Sequence, residues 1–179
     1  NNMLNDIKEI LFSKEEIQEM VDRIGAQISE DYKDKNLLLV CVLKGSVCFM
    51  ADLMRAITVP CVIDFMSVSS YGGDTKSSGV VKIVKDLDEP LQGKDVLVVE
   101  DIVDSGNTIV ALKQILAEKG ASEARMCTLL LKPDAYKKDV KLDYVAMEIP
   151  NDFIVGFGLD YDELGRNFKD IYILDTEAE

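Results

Sequence analysis

Short apolar runs that alternate with stretches of helical periodicity predict an α/β fold: a mainly parallel, twisted sheet flanked by helices, with a small subdomain over the sheet edge. Three observations carry this expectation. Residues 37–42, 59–65, 80–84, 96–99, 127–131 and 144–149 have the length and composition of strands. Helical stripes fall between several of them. The segment after Lys132 is richer in aromatics and turns, as a separate small layer would be. No repeat, low-complexity tract or linker interrupts the 179 residues, which read as one domain, 1–179.

Taken in order, Ser13 and Glu16 stand at capping-box spacing, and Ile17, Met20, Val21, Ile24 and Ile28 follow at helical intervals. An amphipathic helix therefore begins here and covers one face of the sheet. Residues 37–42 form an unbroken apolar run; Lys44, Gly45 and Ser46 end it, and Phe49, Met50, Leu53 and Met54 resume at helical spacing. This reads as strand, loop, helix. Residues 59–65 form the next strand. The polar, glycine-bearing stretch 67–79 lacks apolar periodicity and reads as a loop, of a length that usually means function or disorder. Strands follow at 80–84 and 96–99, and Thr108, Ile109, Leu112, Ile115 and Leu116 make a helical stripe ended by Gly120. The remaining strands are 127–131, 144–149 and a shorter one at 172–174.

Hydrophobic residues make up 47% of the chain and charged residues 30%, the balance of a globular protein rather than a disordered one. Lys and Arg number 20 against 33 Asp and Glu, leaving a net charge of −13. That charge repels a polyanion and argues against a nucleic-acid partner. A small phosphorylated ligand is still open to it where backbone amides and a divalent cation supply a local positive field. No apolar run approaches the roughly 20 residues that span a bilayer, and no leader pattern is visible, so the expected place is the cytoplasm, away from membranes. Cys41, Cys48, Cys61 and Cys127 show no C-x-x-C spacing, and three lie in apolar stretches, which reads as reduced core thiols. With no histidine, a Ser/His/Asp triad, a Cys/His pair and the usual zinc sites fall away. Acid–base chemistry is left to carboxylates, lysine or tyrosine.

The informative segment is Val98-Val99-Glu100-Asp101-Ile102-Val103-Asp104-Ser105-Gly106-Asn107-Thr108, between a buried strand and a helix start. Ligands of open α/β sheets bind at the carboxyl ends of strands, and free amides at a helix N-terminus attract phosphate. The amides of Ser105, Gly106, Asn107 and Thr108, with the hydroxyls of Ser105 and Thr108, can cradle one phosphate, and Gly106 lets the backbone come close. Glu100 and Asp101 accept hydrogen bonds from the hydroxyls of a sugar carrying that phosphate, and are also able to hold a metal.

This succession of strand, two acids, two apolar residues, Asp-Ser-Gly-x-Thr and helix resembles the phosphoribosyl pyrophosphate signature of the type I phosphoribosyltransferases. From about Leu37 to the C-terminus the chain is similar to the hypoxanthine-guanine branch of that family. Leu43-Lys44-Gly45-Ser46 resembles the family's pyrophosphate-binding loop, which implies that Lys44 and Gly45 receive the diphosphate, often beside a non-proline cis peptide. Ser70 and Tyr71 resemble the start of a mobile lid. Lys132 matches the lysine that contacts the exocyclic oxygen of a purine. Residues 153–161 resemble the base-binding hood, formed mainly by the C-terminal segment: Phe153 stacks on the purine, Ile154 meets it through its backbone, and Asp160 helps hold magnesium. Arg166 corresponds to an arginine that reaches pyrophosphate. Ser46 and Leu164-Gly165 depart from other members of the family.

The resemblance implies transfer of 5-phosphoribose to hypoxanthine or guanine, with Asp104 as the catalytic proton acceptor facing N7. It implies Mg2+ at Glu100, Asp101 and Asp160, phosphoribosyl pyrophosphate and 6-oxopurine bases as partners, and a homodimer or homotetramer. The alternatives are a transferase for xanthine, adenine or a pyrimidine, a non-catalytic sensor of nucleotides, and a receiver-like signalling domain. The last does not account for Ser105 to Thr108, and the sensor does not need Asp104, Lys44 or Arg166.

Overall fold

The structure, a computed structural model, describes residues 3–70, 81–121 and 123–175. After a 3-10 turn at Met3–Asp6 come β1 (Ile7–Phe12), α1 (Lys14–Asp31), β2 (Leu37–Val42), α2 (Val47–Ala56), β3 (Cys61–Ser70) and β4 (Val81–Lys85). Then follow β5 (Asp95–Val103), α3 (Asn107–Glu118), β6 (Arg125–Leu131), β7 (Tyr144–Glu148), β8 (Phe153–Val155) and β9 (Ile171–Leu174). The larger sheet runs in the order β4-β3-β2-β5-β6-β7. Its five strands from β3 to β7 in that order are parallel, and β4 closes one edge antiparallel to β3. The smaller sheet, β1-β9-β8, is antiparallel and forms the hood.

The unbroken apolar run of β2 has a direct cause in the packing. Leu37, Leu39 and Cys41 enter a core with Ile17 and Ile24 of α1 and Phe49 and Leu53 of α2. Leu38, Val40 and Val42 enter a second core, on the other face, with Ile109, Leu112 and Leu116 of α3. Side chains alternate along a strand, so burial on both faces demands apolar residues at every position. In β5, Leu97 and Val99 face the first core and Val96 and Val98 the second.

Helix α1 starts where expected: Ser13 Oγ accepts from the Glu16 amide at 3.2 Å, and Glu16 accepts from the Ser13 amide at 3.0 Å. Its buried stripe is Ile17, Val21, Ile24 and Ile28.

Several boundaries differ from the sequence reading. Residues 67–70, read as loop, continue β3, because β4 offers them an antiparallel ladder that places Val68 opposite Ile83. β5 extends past Val99 to Val103, so Glu100 and Asp101 lie inside a strand. β1 and β8 were not anticipated. β1 has Lys8 and Glu9 among its six residues and none of the six is buried, and it is ordered by pairing with β9 rather than by an apolar pattern of its own. Among the described residues no helix is long and apolar enough to cross a membrane. All four cysteines are free thiols; Cys41 and Cys127 are buried, while Cys48 and Cys61 are half-buried.

Gly25 is where α1 meets α2: a Cβ there would stand 2.5 Å from Ala56 Cβ and 2.8 Å from the Ala56 carbonyl oxygen. Gly→Ala inside a helix ordinarily gains about 1 kcal/mol, but overpacking a tight contact costs about 1–3 kcal/mol. Since the obstacle includes backbone, Gly25→Ala is expected to lower stability in urea unfolding, and a midpoint at or above that of the native chain would refute the tight contact.

Candidate active site

The carboxyl ends of β2, β5 and β6 converge with the hood on one side of the sheet. Glu100 is only 6% exposed, and burial, reinforced by the neighbouring Asp101 charge, pushes its carboxyl well above the ordinary range. Asp101 is half-buried. Burial raises its carboxyl to about 6, against the lowering effects of its hydrogen bonds with backbone amides and of the Arg166 charge. One of those bonds comes from the Ile102 amide at 2.7 Å. Gly45 lies directly on the Asp101 carboxylate, where any Cβ would overlap it. The loop between β2 and α2 can approach β5 only with glycine at that position.

Beyond Val103 the chain turns through Asp104, Ser105 and Gly106 into α3. Gly106 adopts φ +92°, and a Cβ on it would overlap the Tyr136 ring. Tyr136 is itself tied down by its hydroxyl, which donates to the Val140 carbonyl. Ser105 Oγ accepts from the Asn107 amide at 3.4 Å. The N-cap residue itself, Gly106, has no side chain to cap the first turn of α3. Glu100, Ile102, Val103, Asp104, Ser105, Gly106, Asn107, Thr108 and Ile109 line a pocket of roughly 110 Å³ at this turn, the volume and dipole field of a site for a small anion.

Lys132 follows β6, and its amide donates to the Val103 carbonyl at 3.0 Å. This bond holds the two strand ends together, so the Lys132 ammonium lies 3.4 Å from Asp104 Oδ2. The same ammonium stands 5.9 Å from the centroid of Phe153 at the start of β8. Phe153 is 66% exposed, an unusual state for a large aromatic. Ile154, beside it, is buried. Three residues far apart in sequence thus present an acceptor, a donor and an open aromatic face.

The fourth wall is formed by residues 44–46 and the hood turn. The Leu43–Lys44 peptide is cis. Ser46 is fully buried, and its hydroxyl donates to the Val42 carbonyl. A Cβ on Gly158 would overlap the Gly45 carbonyl, so hood and loop touch backbone to backbone. Arg166 donates to the Gly158 carbonyl at 2.8 Å and pairs with Glu163 at 3.2 Å and Asp160 at 3.6 Å. Lys44 lies 3.5 Å from Glu163. Glu163, which joins both cations, was not singled out from sequence: an acid three residues before an arginine gives no distinguishing signal. Among the described residues no three Asp, Glu or Cys side chains gather as a protein-only metal cage. Glu100 and Asp101 stand together, and Asp160 is held in its turn by the Glu163 amide at 2.8 Å. Of the expected lid, Tyr71 and the side chain of Ser70 lie outside the described residues.

The sequence profile of the phosphoribosyl transferase domain matches residues 9–162. The chain is similar to the hypoxanthine-guanine phosphoribosyltransferase of Mycobacterium tuberculosis, 51% identical over 179 aligned positions that take in 97% of this chain and 89% of that protein. It is 49% identical over 172 positions to the protein of the same name from Streptococcus thermophilus, with 96% of each chain covered. A crystal structure of a hypoxanthine phosphoribosyltransferase from Staphylococcus aureus superposes with a TM-score of 0.92 at 44% identity, covering 98% of this chain and 96% of that one.

The raised Glu100 carboxyl has a consequence for stability. A carboxyl whose folded value lies above its unfolded value, about 4.3 for Glu, binds protons more tightly in the folded state. It therefore destabilises the fold progressively as pH rises from the unfolded value through the folded one. In metal-free buffer Glu100→Gln is expected to unfold at a higher temperature than the native chain at pH 8, with the difference shrinking towards pH 4. A variant less stable at pH 8 would show that the burial cost is not the dominant effect.

Proposed function

The chain belongs to the phosphoribosyl transferase domain family, and from that membership we propose that it acts in purine salvage, moving 5-phosphoribose from phosphoribosyl pyrophosphate to N9 of hypoxanthine or guanine. The products are IMP or GMP and pyrophosphate. The observation that carries the base assignment is the Asp104 carboxylate 3.4 Å from the Lys132 ammonium, beside the open ring of Phe153. On a purine, O6 and N7 are neighbours along one edge. Lys132 can only donate, so it suits O6; Asp104 accepts, so it suits a proton on N7. Phe153 offers a face for stacking.

With the proton on N7, the N9 lone pair is free to attack. N9–C1 bond formation and cleavage of the C1–oxygen bond to diphosphate leave a proton on N7 that Asp104 takes. The 5-phosphate falls to the amides of Ser105, Gly106, Asn107 and Thr108, and the ribose hydroxyls to Glu100 and Asp101. As the C1–oxygen bond breaks, charge grows on the diphosphate, against which Arg166, Lys44 and the amide of Gly45 are set. Arg166 and Lys44 must exchange Glu163 for the ligand; the Lys44–Glu163 pair is exposed, so breaking it costs little, whereas Arg166 is half-buried.

The fit to magnesium follows from donor chemistry: Glu100, Asp101 and Asp160 offer only oxygens, and two of them are adjacent and desolvated. Magnesium takes one or two carboxylates and completes its shell with water and phosphate, so a cage of three is not needed. When bound it supplies positive charge to the diphosphate. Excess chelator is expected to abolish turnover and added Mg2+ to restore it; full activity in chelator would rule the metal out.

The direct test is turnover of each base with phosphoribosyl pyrophosphate. Hypoxanthine and guanine are expected to react, whereas adenine places a 6-amino donor against Lys132, a mismatch that can cost about 10⁴-fold or more. Lys132→Gln should lower activity with hypoxanthine and narrow its lead over adenine. Comparable native kcat/KM for adenine and hypoxanthine would sink the assignment.

Asp104→Asn is expected to fold and bind phosphoribosyl pyrophosphate but to slow chemistry by roughly 10²- to 10⁴-fold, the range for one general acid–base group. Single-turnover rates at saturation measure this. A native rate would remove the proton from Asp104.

A further inference from the structure

Lys14, the first residue of α1, makes contacts in three directions. Its amide donates to Asp170 Oδ1 at 2.7 Å, just before β9. Its ammonium donates to Asp52 Oδ2 at 2.9 Å on α2. The same ammonium lies 5.3 Å from the centroid of the Phe157 ring in the hood turn. The partners are all buried: Asp52 is 8% exposed, Asp170 9% and Phe157 3%.

Phe157 adopts φ +50°, a left-handed backbone that a bulky residue keeps only when its surroundings over-determine it. Here the Phe157 amide donates to the Phe168 carbonyl at 2.8 Å, and the ring is held beneath the Lys14 ammonium. The glycines on either side have no room for a side chain: a Cβ on Gly156 would overlap the Asp170 carbonyl, and one on Gly158 the Gly45 carbonyl. Gly158 in turn exchanges two hydrogen bonds with Arg166, amide to carbonyl at 2.9 Å and carbonyl from guanidinium at 2.8 Å.

We infer that Lys14 is a positioning residue for the diphosphate subsite, an inference that rests on the proposed function. Its ammonium fixes the Phe157 ring, the ring fixes the left-handed turn, and the turn sets how closely Gly158 and Arg166 approach residues 44–46. Asp52 lies on the helix that follows residues 44–46 and Phe157 lies in the hood turn, so the one ammonium touches a residue from each side of the subsite. The Lys14 side chain is more than a third exposed and Asp52 also pairs with Arg55 at 2.5 Å, so the Lys14–Asp52 pair adds little net stability; what it supplies is geometry. The base platform, Lys132 just after β6 and Phe153 at the start of β8, is not among the Lys14 side chain's partners in the described residues, which are Asp52 and Phe157. Diphosphate recognition and base recognition therefore separate.

The test uses the full-length chain and three variants, Lys14→Met, Lys14→Arg and Asp52→Asn, assayed below their measured Tm. Lys14→Met is expected to raise KM for phosphoribosyl pyrophosphate and Kd for pyrophosphate roughly 10-fold, within the 10² that an ångström of misplacement can cost, with KM for hypoxanthine changing less than about 2-fold. Lys14→Arg keeps the charge over the ring and is expected to recover most of the loss. Hydrogen exchange at the Phe157 and Gly158 amides should quicken in Lys14→Met and Asp52→Asn while the β2 amides stay protected. Equal rises in both KM values, or unchanged exchange at Phe157 and Gly158, would overturn the role. Should Lys14→Met fail to fold, Asp52→Asn carries the same measurements, and the same two results would overturn the role. A native chain that turned over no purine would defeat the proposed function, whereas the exchange and pyrophosphate titration would still decide the role of Lys14.

Discussion

β5 hydrogen-bonds to β2 along Leu37–Cys41 and to β6 along Arg125–Leu131, and this double parallel pairing fixes where Glu100, Asp101, Asp104 and Lys132 can stand. Because both faces of β5 are packed into cores, the strand cannot slide or twist, and its last residues enter the site in a set register. Glu100 lies opposite Thr128 and Val103 opposite Leu131. From there one further hydrogen bond, Lys132 amide to Val103 carbonyl, carries the order of the sheet into the loops. Asp104 and Lys132 meet because the strands that end just before them are in register.

The same rigidity allows an electrostatic arrangement that a looser scaffold would not hold. A buried carboxyl, Glu100, and a half-buried one, Asp101, are held side by side in the chain at the end of β5 in a protein of net charge −13. Their cost is carried by the cores on either side of the sheet. On the proposed function, the site would present strong acceptors to hydroxyls and a place for a cation, and phosphate would be left to backbone amides, which carry no charge to compensate. Glycine has a specific part at Gly45 and Gly106, where side-chain volume would fall on Asp101 and Tyr136 respectively.

Much of this was legible from the residues. The two-sided strands showed as unbroken apolar runs, the capping box marked the start of α1, and the acid pair followed by Asp-Ser-Gly-Asn-Thr located the loop at the end of β5. Less visible were β1 and β8. β8 has only three residues and β1 carries Lys8 and Glu9 among its six; such short strands take their order from a partner supplied elsewhere in the chain, and local pattern does not reveal that partner. The extension of β3 to Ser70 was hidden for the same reason: its partner β4 begins beyond residues 71–80.

By itself the sequence determined the α/β class, the register of hydrophobic faces, and the loop between β5 and α3, because each depends on residues close together in the chain and on periodicities of two or 3.6. Only the tertiary structure decided that Lys132 stands beside Asp104, that Phe153 is left uncovered, that Glu163 joins Lys44 to Arg166, and that Lys14 bolts the hood turn to α2. Nearly all of those contacts join residues far apart in the chain, and the pairing of Glu163 with Arg166 spans a left-handed turn. A contact of that kind is fixed by how the strands pair and the layers pack, which no local stretch of sequence contains.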